Sequence, residues 1–246
     1  MRPLIKHISA SRLVWEEILS TGAMRKVYSI DPDTGSDTSF VKLPAGWQGP
    51  AGAHYHSDYE EALVLDGDVD LNGDDLLVSG SYLYRPGGIV HGWVDRSTGG
   101  SEIIIKMGME TDLVSVGRPL FSEEYDYPGK RVVDGRPHIS HLKTLELTWS
   151  SYSNIFNNIG KKVLSTNSDN GSQTYLIKIP VGFVGDFRLD SNHTHEWIVL
   201  EGSMVLADGS VFELMDYSHR PKQTVVTNIV TSLAGAKVLI WSNPTS

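Results

Sequence analysis

The chain has 246 residues, 40% of them hydrophobic and 21% charged, so it can bury a substantial core in one large domain or two average ones. Its formal net charge is −9, and no basic run offsets it. We therefore expect no nucleic-acid partner, because an acidic surface repels phosphate. Cysteine is absent, which excludes disulfides, thiolate metal sites and a cysteine nucleophile, and leaves the nine histidines and the carboxylates as candidate metal ligands.

The first twenty residues contain no apolar stretch typical of a signal peptide, and no later segment is apolar over a length that spans a bilayer. We therefore expect a cytoplasmic protein with no membrane partner. Residues 11–19 are predicted to form a short helix with Leu13, Ile18 and Leu19 on its apolar side.

After this stretch, short apolar or alternating runs are separated by Asp-Gly, Asn-Gly and Gly-Gly turns, a pattern typical of strands. The clearest runs are residues 40–43, 62–65, 81–84 and 103–107. Many short strands at this spacing predict an all-β sandwich or barrel.

The chain repeats itself. Residues 26–46 match residues 162–182 at 10 of 21 positions, at a constant offset of 136. At an offset of 135, residues 63–67 match 198–202, and Arg85-Pro86 matches Arg220-Pro221. We therefore predict two homologous domains, residues 1–125 and 138–246, joined within the Pro- and Gly-containing segment 121–137.

The first repeat contains a candidate metal site. His54 and His56 are two residues apart, so on a strand both imidazoles face the same side. Glu60 follows after three residues, and His91 lies further along the chain. Three imidazoles and one carboxylate can hold Zn, Fe, Mn or Ni, so we predict one divalent metal with the ligands His54, His56, Glu60 and His91.

The spacing of this site resembles both motifs of the cupin superfamily. The residues that carry the resemblance are His54, His56, Glu60, Gly67, Gly80, Pro86, Gly88 and His91. The sequence departs from the pattern at Asp95, where the family often has asparagine. The resemblance implies two tandem double-stranded β-helix (jelly-roll) barrels with the metal inside the first. The His-x-His-x3-Glu-Glu variant resembles the ChrR-type cupins, and the tandem layout resembles bicupins of unknown function.

In the second repeat, the alignment places Leu189, Ser191, His195 and Val226 at the four ligand positions. We therefore expect this domain to have lost the metal site, and His193, His195 and His219 to make ordinary hydrogen bonds. In the first repeat, we expect Glu61 to be solvated and Arg85 to be a surface residue at a turn. Trp47 and Trp93 are left open between the wall of a cavity and the core.

These features favour a metal-dependent enzyme, an oxygenase or an isomerase, that binds a small oxygenated molecule at the metal, with Glu60 as a candidate base. The alternative is a metal- or ligand-binding sensor or structural cupin without turnover, related to the ChrR-type regulators. We expect a small-molecule ligand in either case. Whether the protein is a monomer or a homodimer stays open, as do the metal and the substrate.

Overall fold

The computed structural model describes residues 2–50, 52–73, 75–153, 158–224 and 228–244. Within this part of the chain the only helical segment is a 3₁₀ turn over Ala10–Arg12, and no helix is long and apolar enough to cross a membrane. The predicted helix over residues 11–19 is therefore wrong. Only three apolar positions supported it, and the chain instead pairs a strand at Glu16–Glu17 with residues 24 and 25. The all-β prediction is confirmed.

The strands of the first half of the chain are β1 (Ile5–Ser9), β2 (Glu16–Glu17), β3 (Met24–Ile30), β4 (Asp37–Leu43), β5 (His54–Tyr55), β6 (Glu60–Asp70), β7 (Leu76–Val78), β8 (Ser81–Arg85), β9 (Ile89–Val90), β10 (Ser101–Met107), β11 (Val114–Ser115) and β12 (Tyr125–Asp126). Those of the second half are β13 (Ile139–Lys143), β14 (Ser150–Ser151), β15 (Gly160–Thr166), β16 (Gln173–Ile179), β17 (Phe183–Phe187), β18 (His193–Gly202), β19 (Met204–Leu206), β20 (Val211–Phe212), β21 (Asp216–Arg220), β22 (Ile229–Ser232) and β23 (Ala236–Pro244). The four strand runs predicted from sequence lie within β4, β6, β8 and β10.

The chain forms two compact units, one comprising Leu13–Leu145 and the other Arg2–Arg12 with Glu146–Ser246. The first unit has a main sheet in the order β13-β8-β6-β10-β4-β3-β2, and β7 also pairs with β6. Two short pairs, β11-β5 and β12-β9, complete it. Side chains alternate between the two faces of each strand, as expected for a sheet with a buried face. Val41 and Leu43 of β4 belong to the core, whereas Phe40 faces the other way and contacts Trp15.

The second unit repeats this plan with a sheet in the order β1-β21-β18-β23-β16-β15-β14 and a second sheet, β17-β22-β19-β20. Its interior is filled by large side chains, among them Phe183, Phe187, Trp197, Met204 and Phe212.

One strand in each main sheet is supplied by chain that lies outside the rest of its sequence repeat. β1 pairs with β21, placing Ile5 opposite His219, and β13 pairs with β8, placing Ile139 opposite Tyr84. Tyr84 and His219 occupy equivalent positions of the repeat, so β1 and β13 lie at equivalent places in the two sheets. β13 therefore completes the sheet of the first unit, although the sequence suggested that the second domain begins at residue 138.

One glycine of the metal-site motif has a structural role. Gly67 has a φ of 77°, and a Cβ on it would lie 1.9 Å from the carbonyl oxygen of Gly100. Its repeat partner Gly202 has a φ of 69° and the same 1.9 Å approach to the carbonyl oxygen of Gly235. Glycine is therefore required at both positions by the conformation and by the space.

Candidate metal centre

The first unit brings three of the predicted ligands together in its interior. His54 begins β5, His56 follows it, and His91 comes directly after β9. The backbones of His54 and His91 exchange two hydrogen bonds of 2.9 Å, which fixes the two strands side by side. Nitrogen atoms of the three rings lie within 4.8 Å of one another, and the three side chains are buried.

The Nδ1 atom of each ring is hydrogen-bonded to a backbone carbonyl. His54 Nδ1 lies 3.2 Å from the oxygen of Gly52, His91 Nδ1 lies 3.0 Å from that of Ile89, and His56 Nδ1 bonds to that of Asp112. A carbonyl only accepts, so each Nδ1 carries the proton and donates it. Nε2 is then the ring nitrogen left to bind a metal.

Glu60, the first residue of β6, lies beside two of the histidines. Its Oε2 is 3.5 Å from His91 Nε2 and 4.0 Å from His56 Nε2. Burial alone would raise the pKa of Glu60, but the Arg85 guanidinium, followed by His91 and His56, outweighs burial and lowers the pKa to about 2. The structure thus places an ionised carboxylate next to the imidazoles.

Burial lowers the pKa of His91 well below 6.5, and the positive charge of Arg85 lowers it further. Burial and then the neighbouring His56 also lower the pKa of His54. Both rings are therefore neutral at pH 7 and have a free lone pair. The donor set of three imidazoles and one carboxylate fits a divalent first-row ion.

Arg85 is not the surface residue that we expected. It is 2% exposed and bridges two carboxylates: Nη1 donates to Glu60 Oε2 at 2.9 Å, and Nη2 donates to Glu124 Oε1 at 2.7 Å. His138 in turn lies 2.6 Å from the other oxygen of Glu124. Sequence reasoning missed Glu124 and His138 because both lie in or next to the segment interpreted as a linker.

The expectation that Glu61 is solvated is also wrong. Glu61 does lie on the opposite face of β6 from Glu60, but it is 2% exposed. The Tyr82 hydroxyl donates to it at 2.6 Å and Arg136 lies 3.4 Å away, so the segment interpreted as a linker covers this face. The second unit has the same arrangement, with Glu196 bonded to the Tyr217 hydroxyl at 2.7 Å and to Arg2 at 2.9 Å.

A cavity of about 170 Å³ opens onto the histidines and Glu60. Its walls are mainly aliphatic and include Val41, Leu43, Val64, Leu77, Leu83 and Ile103. Two exposed leucines, Leu19 and Leu113, also line it. Trp47 lines this cavity, whereas Trp93 packs against Ala53, Tyr55 and Val90, which resolves the two alternatives for these tryptophans.

Asp95 also lines the cavity, and its Oδ1 is shielded from solvent. Burial, followed by the charge of Glu60, raises the pKa of Asp95 to about 7. Sequence reasoning noted Asp95 only as a departure from the motif, because nothing in the local pattern shows where its side chain lies.

The second unit contains a void of about 10 Å³ in place of this cavity. Leu189, at the first ligand position, belongs to its core, and Val226, at the last, lies outside the described residues. His195 Nε2 donates to the Asp190 carbonyl at 2.7 Å, His193 contacts Ser242, and His219 contacts the Pro3 carbonyl. Among the described residues, the first unit alone has three such side chains within reach of one ion.

A family model described as a domain of unknown function, DUF4437, matches residues 19–243. None of the curated proteins compared with the chain matches it. Among solved structures, a "putative dioxygenase" from Nostoc punctiforme superposes with a TM-score of 0.81 at 19% identity, over 98% of this chain and 84% of that one.

A variant of oxalate decarboxylase from Bacillus subtilis superposes with a TM-score of 0.63 at 13% identity, over 98% of this chain and 78% of that one. The same enzyme, in a structure described for its Mn(II) centres, gives a TM-score of 0.60 at 12% identity, with 99% and 78% covered. At these identities the likeness shows the fold, and the cupin fold implied by the two motifs is confirmed.

Proposed function

The chain belongs to the DUF4437 family, a domain of unknown function, and we propose that it is a metal-dependent enzyme that acts on a small oxygenated molecule in the first unit. The reaction we propose is an oxygenation or an isomerisation. We further propose that the chain is a bicupin, with a ChrR-like first domain and a second domain that serves as a scaffold.

The observation that carries this proposal is the cavity that opens directly onto the three histidines and Glu60. A purely structural metal is enclosed by its ligands, whereas a catalytic one keeps a position for substrate. His54, His56, His91 and Glu60 supply four ligands, which leaves one or two positions on a five- or six-coordinate ion. The cavity beside these four side chains is large enough for a small molecule.

The bound ion would supply Lewis-acid polarisation of a substrate oxygen, or redox chemistry with O₂ if it is iron. The residues of the chain prepare the site for it. The carbonyls of Gly52, Ile89 and Asp112 hold the imidazoles in one tautomer and orientation. The aliphatic walls exclude water, which strengthens electrostatic interactions within the cavity.

In this proposal Glu60 holds the metal and balances its charge. Its role as a base stays a prediction, and the contact with Arg85 argues against it. A carboxylate held 2.9 Å from a buried guanidinium is a weak proton acceptor, because losing its charge would leave the guanidinium partly unpaired.

The test is turnover by the full chain reconstituted separately with Mn²⁺, Fe²⁺, Ni²⁺ or Zn²⁺. A panel of small oxygenated compounds is incubated in air, and mass spectrometry distinguishes oxygen addition from conversion without a change in mass. We expect conversion with at least one metal and none by the metal-free protein or by His91→Ala. Activity that survives both changes would place the chemistry elsewhere, and a metal-loaded protein without turnover favours the sensor or structural alternative.

A further inference from the structure

Two residues that line the cavity carry buried polar atoms for which the described part of the chain supplies no hydrogen-bond partner. Asp95 Oδ1 and Trp47 Nε1 are both buried and without a hydrogen-bond partner, and both residues line the cavity. Buried polar atoms in folded proteins are nearly always paired, because an unpaired one loses its bonds to water without replacement. One acceptor and one donor left unpaired in a cavity point to a ligand that pairs with them.

The backbone at Asp95 is held in place by its neighbours. The Gly49 N–H donates to the Asp95 carbonyl at 2.7 Å, and the backbones of Arg96 and Asp70 exchange bonds of 2.9 and 2.8 Å. A Cβ on Gly49 would come within 2.6 Å of both the Asp95 Cβ and the Trp47 ring. The glycine therefore allows the acceptor residue and the donor residue to lie close together at one part of the wall.

The charge of the cavity argues against an anionic substrate. Glu60 and Asp95 supply two carboxyl groups, and no lysine or arginine is among the described residues that line the cavity. The nearby guanidinium of Arg85 is already paired with Glu60 and Glu124. A substrate with two negative charges would therefore lie beside carboxyl groups and find no basic side chain in the lining to offset its charge. Neutral ligands are favoured.

The size and lining of the cavity limit the substrate further. An apolar cavity of about 150 Å³ is large enough for benzene, and this one measures about 170 Å³. It therefore accommodates one six-membered ring or an aliphatic skeleton of that size. The aliphatic walls suit an apolar skeleton, and the histidines and Asp95 offer positions for the polar groups of the substrate.

We propose that Asp95 is a specificity-determining residue that accepts a hydrogen bond from a substrate hydroxyl, and that the substrate is an uncharged, one-ring-sized molecule with two neighbouring oxygens. One oxygen would bind the metal, and the hydroxyl at the other would donate a hydrogen bond to Asp95 Oδ1. This inference rests on the proposed function, since it assumes that substrate reaches the metal.

The test uses ligand binding to the full chain loaded with Co²⁺, whose visible spectrum reports a change in coordination. The probes are catechol, 2-methoxyphenol, which lacks the second hydroxyl, and oxalate, which is a dianion. The variants are Asp95→Ala and Asp95→Asn, and the control is Asp66→Asn, an exposed carboxylate on β6. Elemental analysis after each titration shows that the cobalt is retained, and near-ultraviolet circular dichroism checks the fold.

We expect catechol to bind wild type more tightly than either other probe. A hydrogen bond to a carboxylate corresponds to about tenfold to a hundredfold in affinity, so Asp95→Ala should weaken catechol binding by that factor. The same variant should leave the affinity for 2-methoxyphenol nearly unchanged and increase the affinity for oxalate. Asp66→Asn should change none of the three.

Two outcomes overturn the inference in distinguishable ways. If catechol and oxalate change the cobalt spectrum but Asp95→Ala and Asp95→Asn alter neither affinity, the role of Asp95 is refuted and the proposed function stands. If the protein retains cobalt and no probe changes its spectrum, the metal has no open position, and both the inference and the proposed function fail.

Discussion

Replacing Arg85 by methionine tests how the candidate metal centre is held in its electrostatic state. The guanidinium is 2% exposed and makes three hydrogen bonds, one to Glu60 at 2.9 Å and two to Glu124 at 2.7 and 3.0 Å. Arg85→Met keeps an apolar side chain of similar length and removes the charge. It therefore leaves two buried carboxylates without their common partner.

Removing one member of a buried ion pair costs about 3–5 kcal/mol, because the remaining charge stays desolvated. His138 lies 2.6 Å from Glu124 and compensates that carboxylate in part. We therefore expect the loss of unfolding free energy in Arg85→Met to fall within that range rather than above it. The pKa of Glu60 should rise from about 2, because Arg85 is its largest stabilising influence. For a chain of this size the loss corresponds to a decrease in melting temperature on the order of 10 °C.

The assay is urea unfolding of the metal-free full chain. The matched control is Arg220→Met at the equivalent position of the second unit, where the guanidinium donates to Ser218 Oγ at 3.1 Å and the Lys6 carbonyl at 3.3 Å. Hydrogen bonds to neutral groups contribute about 1 kcal/mol each, so the control should lose less stability than Arg85→Met. Adding Glu124→Gln to Arg85→Met should restore part of the stability. Equal losses in the two single variants, or no recovery in the double variant, would refute the reasoning.

Three further predictions follow from the described residues. Purified protein should bind one divalent ion per chain, as measured by elemental analysis. His56→Ala should remove the ion and His193→Ala should not. Two ions per chain would contradict the assignment. Gly67→Ala should destabilise the protein by about 3 kcal/mol or more, because the added Cβ meets a carbonyl oxygen. The control is Gly22→Ala, where φ is 79° but nothing lies near the added Cβ, so the loss should be only about 1–2 kcal/mol. Thermal unfolding measures both losses. Burial lowers the pKa of His195 to about 4, so between pH 6.5 and about 4 the unfolded chain binds a proton that the folded one does not. The full free energy of unfolding should be present above pH 6.5, and about 3 kcal/mol of it should be lost as the pH falls to about 4. Urea unfolding of His195→Gln should lack this pH dependence. A pH profile that the substitution leaves unchanged would show that another group causes it.

Local patterns were sufficient for the strands and for the grouping of His54, His56 and His91. Strands β4, β6, β8 and β10 were predictable because alternation and turn residues act within a few positions. The motif spacing could be interpreted because each ligand lies at a fixed distance in sequence from a turn glycine.

The features that could not be predicted depend on pairs distant in sequence. The environment of Arg85 depends on Glu124, 39 residues further on, and that of Glu61 depends on Arg136, 75 residues further on. Neither partner belongs to a motif. The same holds for β1, whose partner β21 lies at the other end of the chain, since no local signal specifies which sheet edge an isolated strand covers.

The placement of β1 and β13 determines how the protein can be divided. A fragment that ends at residue 125 would lack β13 and expose the backbone of β8 along a free sheet edge, and it would carry β1 with no β21 to pair with. Exposed edges and unpaired strands lead to aggregation or to exchange between copies. The segment that pairs with β8 is synthesised only after residue 138, so during translation the first unit cannot close its sheet until the second repeat has begun. A truncation intended to isolate the metal-binding half should therefore extend to Leu145 and begin at Leu13.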